Sequence, residues 1–293
     1  MITILRKELA DYFTSIRCLI LFLLVLLASA AGLYAAHQGI RGAVTETGFA
    51  FLKLFTTSGE VIPALVSFIA LFVPIIGIAL GFDAINSERS SGTLNRILSQ
   101  PVYRDSVING KFLAGVITLS IMMLATMLIV SGYGLRMIGV APTSEEIIRL
   151  FIYLIFTIIY GAFWISLAIL FSVLFRSIAV SLLSSIAIWL FFGFFYTLMI
   201  VPAVAKSVEM YLMLLRFSPG ALFQEAMMVM LLPQWRGLGI LTSGEVTYML
   251  PNPLPLSQSM LIIWPQLTTL IGLAAVCFAV SYIVFMRQEI RTT

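Results

Sequence analysis

The chain has 293 residues, of which 61% are hydrophobic and 10% charged, with a formal net charge of +4 and a mean hydropathy of +1.08. Soluble globular domains are typically about half apolar and about a quarter charged. The composition therefore excludes an ordinary water-soluble domain, and the solvent it fits is lipid.

A helix needs roughly 20 consecutive, mostly apolar residues to cross the hydrocarbon core. Six runs meet that length, at about 18–36, 62–81, 113–135, 150–175, 178–203 and 261–286. Backbone in lipid must satisfy its own hydrogen bonds, so these runs are read as helices. The alternating pattern of a membrane barrel is absent. The predicted fold class is all-α: a polytopic membrane protein with six transmembrane helices in one domain over residues 1–293.

In chain order, "MITILRKELADYFTSIR" sets Ile2, Leu5, Leu9, Tyr12, Phe13 and Ile16 at helical spacing. Arg6, Lys7, Glu8 and Asp11 fall mostly elsewhere on the wheel, which predicts an N-terminal interfacial helix. This stretch is long for the basic start of a signal peptide and carries two acids, so the small residues Ala28–Ala30 are not read as a cleavage site. Cys18 and Cys277 have no neighbours at metal-ligand spacing and read as small apolar residues. The lone His37 reads as structural.

The second run leads into "GFDAINSERSSGTLNRILSQPVYRDSVINGKF", Gly81 to Phe112. This polar island holds Arg89, Arg96, Arg104 and Lys111 with Asp83, Glu88 and Asp105. Ser87 is placed to cap a helix with Glu88 in its first turn. Leu94, Ile97 and Leu98 then form one apolar stripe, and Gln100-Pro101 ends the helix. A further helix is expected from near Asp105 or Ser106 through Lys111 into the third run. The pattern describes a short amphipathic helix parallel to the membrane, fitting either lipid headgroups or a docked protein.

With six spans, both termini share a side with the island and the 176–177 turn. That side holds ten cations in about 60 residues, against seven in about 100 on the other, so it is expected to be cytoplasmic. The 204–260 segment is then external. Within it "MYLMLLRFSPGALFQEAMMVMLL" is interrupted by Arg216, Pro219, Gly220 and Glu225. A single span would bury two charges and a Pro-Gly break, so two short re-entrant helices are expected. Eight of the 14 methionines lie between Met199 and Met260. Thioethers bind soft ions, but no His or Cys reinforces them. They are read as packing residues, with no metal site.

The island resembles the loop after the second span in type-2 ATP-binding-cassette permeases. The matching residues occur in the family's order: Asp83, Glu88-Arg89, Gly92-Thr93-Leu94, Leu98-Ser99-Gln100-Pro101 and Gly110-Lys111. The amphipathic start, the "FSPGALFQEAM" stretch and the tail "MRQEIR" extend the likeness over most of the chain. The layout is similar to the subgroup of permeases for maturation of copper enzymes such as nitrous-oxide reductase.

This resemblance implies a cytoplasmic coupling helix over Ser87–Ser99, seated in an ATPase subunit. Its coupling residues would be Glu88, Arg89, Gly92, Thr93, Leu94, Ile97, Leu98 and Pro101. It also implies a second permease subunit, as a homodimer, with cytoplasmic ATPase subunits and membrane lipids as partners. A substrate path would lie where spans one, two and five meet at the dimer interface, with Phe191, Phe192, Phe194, Phe195 and Tyr196 as lining candidates.

Gly110-Lys111 lacks the spacing of a phosphate-binding loop. No cofactor is therefore expected on this chain, ATP and Mg belonging to the partner ATPase, and the chain is not expected to be an enzyme by itself. The expected function is export, or force transmission to an external partner protein, at the cell membrane, with no nucleic acid involved. The alternative is an ion-coupled secondary transporter or channel. That class places ionisable residues within spans, whereas Asp83, Arg149 and Arg176 fall near span ends.

Overall fold

The structure, a computed structural model, describes residues 1–41, 49, 51–58, 63–93, 103–139, 141–233 and 254–287. Helix α1 (Ile2–Thr14) stops where Ser15 turns extended, and α2 (Ile16–Arg41) follows at once. A short turn, α3 (Lys53–Thr56), precedes α4 (Leu65–Gly81) and α5 (Asn86–Ser90). Helix α6 (Arg104–Ile138) ends at Gly139, whose φ of 74° lets its N–H reach back to the Leu135 carbonyl.

Helix α7 (Ser144–Leu174) opens with a capping box. The Thr143 hydroxyl accepts from the Glu146 N–H at 3.3 Å while the Thr143 N–H donates to the Glu146 carboxylate at 2.8 Å. Helix α8 (Ile178–Leu190) runs into a π-helical segment, Phe191–Ile200, and the short α9 (Val201–Val204). Then come α10 (Val208–Leu215), α11 (Pro219–Leu231) and α12 (Leu256–Arg287).

Six helical stretches are long and apolar enough to cross a membrane: Ile16–Gln38, Leu65–Ser90, Arg104–Met137, Ser144–Leu174, Ile178–Val204 and Leu256–Arg287. These are the six runs expected from the sequence. Among the described residues all regular structure is helical.

Helix α7 is the hub, packed on α4, α6, α8, α11 and α12. The fourth span buries 67% of its apolar window and the fifth only 11%. Lipid provides little hydrophobic drive between helices, so close packing of small residues must hold them. At the α4–α7 seam a Cβ on Gly77 would come within 2.8 Å of the Trp164 Cβ. One on Gly81 would meet the Ala168 Cβ and the Ile165 carbonyl oxygen, both at 2.8 Å. These two glycines, four residues apart, let two backbones touch.

The 204–231 stretch folds as two short helices, α10 and α11, rather than one span. Ser218 caps α11 by accepting from the Ala221 N–H, and Pro219 fits its first turn. The interrupting charges pair with each other, Arg216 to Glu225 at 3.2 Å. Met227 and Met230 are fully buried in the core beneath them.

The polar island departs from expectation in two ways. Ser87 does not cap a helix, because its hydroxyl donates to the Asp83 carbonyl from inside α5. Nor does one helix run from Ser87 onward. Helix α5 ends at Ser90, Gly92 takes a left-handed φ of 71° that a side chain would oppose, and helix resumes only at Thr93. The expected stripe of Leu94, Ile97 and Leu98, with Pro101, lies outside the described residues.

Candidate functional site

The first requirement is for α1 to reach the root of the island. Gly110 permits it: a Cβ there would lie 3.0 Å from the Ile4 side chain, so α1 packs directly on α6. One turn further along α1, Glu8 then faces Lys111. Lys111 is only 4% exposed, and its ammonium donates to the Glu8 and Glu88 carboxylates at 2.9 Å each.

Lys7 reaches the same two carboxylate oxygens from the rim, at 3.3 and 3.4 Å. The result is a closed ring of two lysines and two glutamates drawn from α1, α5 and α6. Burial works against the Lys7 ammonium, but the Glu8 and Glu88 carboxylates more than offset it and hold its pKa above the ordinary 10.5.

Further bonds tie the root of the island to α1, α2, α7 and α8. The half-buried Tyr12 donates its hydroxyl to the Leu80 carbonyl at 2.7 Å. Burial, then the nearby carboxylates of Glu8 and Asp83, pushes that phenol far above its usual range, so it acts as a neutral donor. Arg17, at the start of α2, pairs with Asp83 at 2.7 Å and stacks over the Phe82 ring at 5.1 Å. Ser172 of α7 accepts from the Ile85 and Asn86 N–H groups at 2.9 and 3.1 Å. Ser181 of α8 donates to the Phe82 carbonyl at 2.8 Å. Five helices besides α4 and α5 therefore grip the loop where it leaves the second span.

Among the expected coupling residues, Glu88 points inward to this ring and is 8% exposed. Ser91, Gly92 and Thr93 are exposed and tied back by the Thr93 hydroxyl to the Glu88 carbonyl at 3.3 Å. Arg89 is partly exposed beside them. Glu8, Tyr12, Ser172 and Ser181 were not singled out from the sequence. The serines are lone hydroxyls in apolar helices flanking the 176–177 turn, a signal that was available. The helical wheel sets Glu8 apart from the apolar stripe of α1, and only its partner Lys111, 103 residues away, explains its burial.

A second polar centre lies at the opposite end of α7. Arg149 is fully buried. Its Nε and Nη2 donate to Glu145 at 3.1 and 2.8 Å, Nη2 also to the Leu254 carbonyl at 2.7 Å, and Nη1 to the Met230 carbonyl and the Ser259 hydroxyl at 2.9 and 3.2 Å. All five guanidinium donors are satisfied. Beside it Glu146 accepts from the Phe51 N–H at 2.9 Å. This cluster binds α7, α11 and α12 together.

Of the aromatic run in the fifth span, Phe192 and Phe194 line a groove of about 300 Å³ with Phe68, Tyr160 and Trp164. Phe191 and Phe195 are exposed, and the Tyr196 hydroxyl donates to the Leu214 carbonyl at 2.8 Å. Among the described residues no group of His, Cys, Asp and Glu is arranged to hold a metal ion.

A family model described as "ABC-2 family transporter protein" matches residues 2–290. The chain belongs to that family. With six helices long and apolar enough to cross a membrane, it is a multi-pass membrane protein of that transporter family. Two proteins named "Probable ABC transporter permease protein NosY" are similar to it. The one from Pseudomonas aeruginosa is 32% identical over 150 residues, covering 50% of this chain and 49% of that protein. The one from Stutzerimonas stutzeri is 30% identical over 146 residues, covering 49% and 46%. The chain thus spans about half the length of the curated relatives it matches.

Proposed function

We propose that this chain couples ATP hydrolysis on a separate cytoplasmic ATPase subunit to export of a substrate, or to force transmitted to an external partner. Its likeness to the two NosY permeases supports assigning it to the subgroup for copper-enzyme maturation. In this reading both termini and the island are cytoplasmic, a second copy completes the permease, and the island seats in the ATPase. Glu88, Arg89, Gly92 and Thr93 form the described part of the coupling surface, and Leu94, Ile97, Leu98 and Pro101 supply its apolar ridge and end.

The observation that carries this reading is the asymmetry of the island. Its Ser91–Thr93 stretch is exposed, while its root is gripped by α1, α2, α6, α7 and α8 through the ring of Lys7, Glu8, Glu88 and Lys111 and the bonds around it. A push on that stretch reaches several spans at once through charge-assisted bonds, which are stronger than neutral ones. A loop that only rested on lipid would need no such root.

The test places a cysteine at Ser91 and a crosslinkable cysteine along the membrane-facing cleft of the co-expressed ATPase. Crosslinking that responds to ATP, together with activity in vesicles that needs ATP and survives collapse of the proton gradient, is expected. Substrate movement by the permease alone, driven by a proton or sodium gradient, would overturn the assignment.

A further inference from the structure

The groove beside the fifth span is open and has a volume of about 300 Å³. Its walls come from α4, α7, α11 and the fifth span, that is α8 with its π-helical continuation. Among the described residues the first span contributes none of the lining. The groove therefore stands apart from the path expected where spans one, two and five meet. No lining residue carries a charge. Six are aromatic: Phe68, Tyr160, Trp164, Trp189, Phe192 and Phe194. Trp189 and Phe194 meet edge to face, with ring centroids 5.9 Å apart.

The polar side chains of the lining divide into two sets. Three hydroxyls are committed: Tyr160 donates to the Ala70 carbonyl at 3.4 Å, and Thr197 and Ser218 donate to the Phe192 carbonyl at 2.7 and 3.2 Å. Ser67 on α4, Trp189 on α8 and Gln224 on α11 make no side-chain hydrogen bond among the described residues. All three are half-buried. Their polar atoms keep surface of their own, unlike the Trp164 indole nitrogen, which is sealed without a partner. The Trp189 indole nitrogen lies on the groove wall, 4.0 Å from where a Cβ on the lining residue Gly193 would stand. No other side chain comes within that distance, so the open donor borders empty space. Unpaired donors at membrane depth are costly.

We propose that this groove binds a flat, uncharged ring molecule bearing carbonyl oxygens, drawn from the bilayer. The aromatic side chains pack against its faces and edges. The Trp189 N–H, the Ser67 O–H and the Gln224 amide N–H, on three different walls, are the donors for its carbonyl oxygens. A charged ligand would enter a lining that offers no counter-charge, which low-dielectric surroundings penalise. A lipid acyl chain would leave all three donors unpaired. The volume lies at the lower end of ligand pockets and suits a few fused rings. The site goes beyond the proposed function, and its occupancy does not depend on the ATPase.

Three probes built on one flat frame test it: anthraquinone, with opposed carbonyls, anthracene, with none, and anthraquinone-2-sulfonate, which adds a charge. Each would be equilibrated with the purified full chain in detergent, and with protein-free micelles to subtract partitioning. Saturable anthraquinone binding is expected, several-fold tighter than that of either other probe, with a rise in thermal midpoint on binding. No saturable anthraquinone binding, or tighter binding of the sulfonate, would overturn the proposal. Equal affinity for anthracene would also overturn it and leave the groove a seat for acyl chains. These comparisons use the unaltered chain, so they decide even if a variant folds poorly. Trp189→Phe keeps a ring and removes the N–H, and should bring anthraquinone close to the affinity of anthracene. Gly193→Leu should fill the groove and weaken both probes strongly. Unchanged anthraquinone affinity in both variants, each with its thermal midpoint kept, would overturn the placement of the ligand in this groove.

Discussion

Two buried cations stand at opposite ends of the bundle, and they are buried differently. Arg149 is sealed, with its five donors divided among one carboxylate, one hydroxyl and two main-chain carbonyls. Lys111 is held by two carboxylates that it shares with a half-exposed lysine, beside an open cleft. The two carbonyls are held in place by the backbone, whereas shared carboxylates can exchange lysines with little movement. The arginine end is built as a fixed clasp and the lysine end as an adjustable joint. This is the division expected if ATP-driven force enters at the lysine end and the clasp keeps the far end rigid.

The largest effect should come from the clasp. Arg149→Leu leaves two carbonyls and a carboxylate without their donor, and removing one partner from a buried pair typically costs about 3–5 kcal/mol. Arg149→Lys should rescue little, because an ammonium has three donors and cannot reproduce the fork. Both variants should show low yield and a large drop in thermal midpoint in detergent. A near-normal midpoint for the lysine variant would erase the contrast between clasp and joint.

Lys111→Met should be milder in stability, because Lys7 remains and the cleft admits water to Glu8 and Glu88. A cost of about 1–3 kcal/mol is expected, with a larger proportional loss of ATP-linked turnover. Adding Glu8→Gln and Glu88→Gln to that variant should recover stability by removing unpaired charge, but not turnover. Recovery of both would reduce the ring to a structural staple.

The sequence carried these two ends unequally. All six spans were legible, because run length and hydropathy are local properties. The two short helices around Ser218-Pro219-Gly220 were legible too, since a Pro-Gly break and two charges cannot cross lipid unaided. The island's position was plain from its charges, but its internal fold was not. Gly92 was read within a continuous helix, although glycine was the one residue there suited to a positive φ. The inward turn of Glu8 and Glu88 depends on pairing with Lys111 across long stretches of chain, which no local pattern contains. The Gly77 and Gly81 spacing is visible and marks a seam where two helix backbones approach closely, yet it acquires meaning only once α7 is known to lie against it.

A smaller effect should follow from loosening one strand of the joint without touching its charges. Tyr12→Phe removes the bond to the Leu80 carbonyl and keeps the ring. About 1 kcal/mol of stability should be lost, the usual net value of one hydrogen bond, with α1 still docked through Gly110 and Lys111. Hydrogen exchange should show faster opening of α1 and unchanged protection of α7. Equal loosening of α7 would mean that the two ends are not mechanically separate.

The smallest effect belongs to Lys7, and it tests whether the ring's depth rather than its charge count matters. Lys7 is 53% exposed where Lys111 is 4% exposed, so solvent and salt screen its pairs, and Lys7→Ala should cost less than about 1 kcal/mol. The sign of its pH dependence follows from its raised pKa. A lysine whose folded pKa exceeds the unfolded value stabilises fully below that unfolded value. The contribution is lost only as pH climbs through the folded pKa, which lies above 10.5. The thermal midpoints of the Lys7→Ala and unaltered proteins should therefore differ by a constant small amount across the neutral range, and converge only in strong alkali. Raised salt should shrink that difference while leaving the larger effect of Lys111→Met nearly intact. An equal salt response for both lysines would show that Lys111 is as open to solvent as Lys7, and the joint would lose its buried pivot.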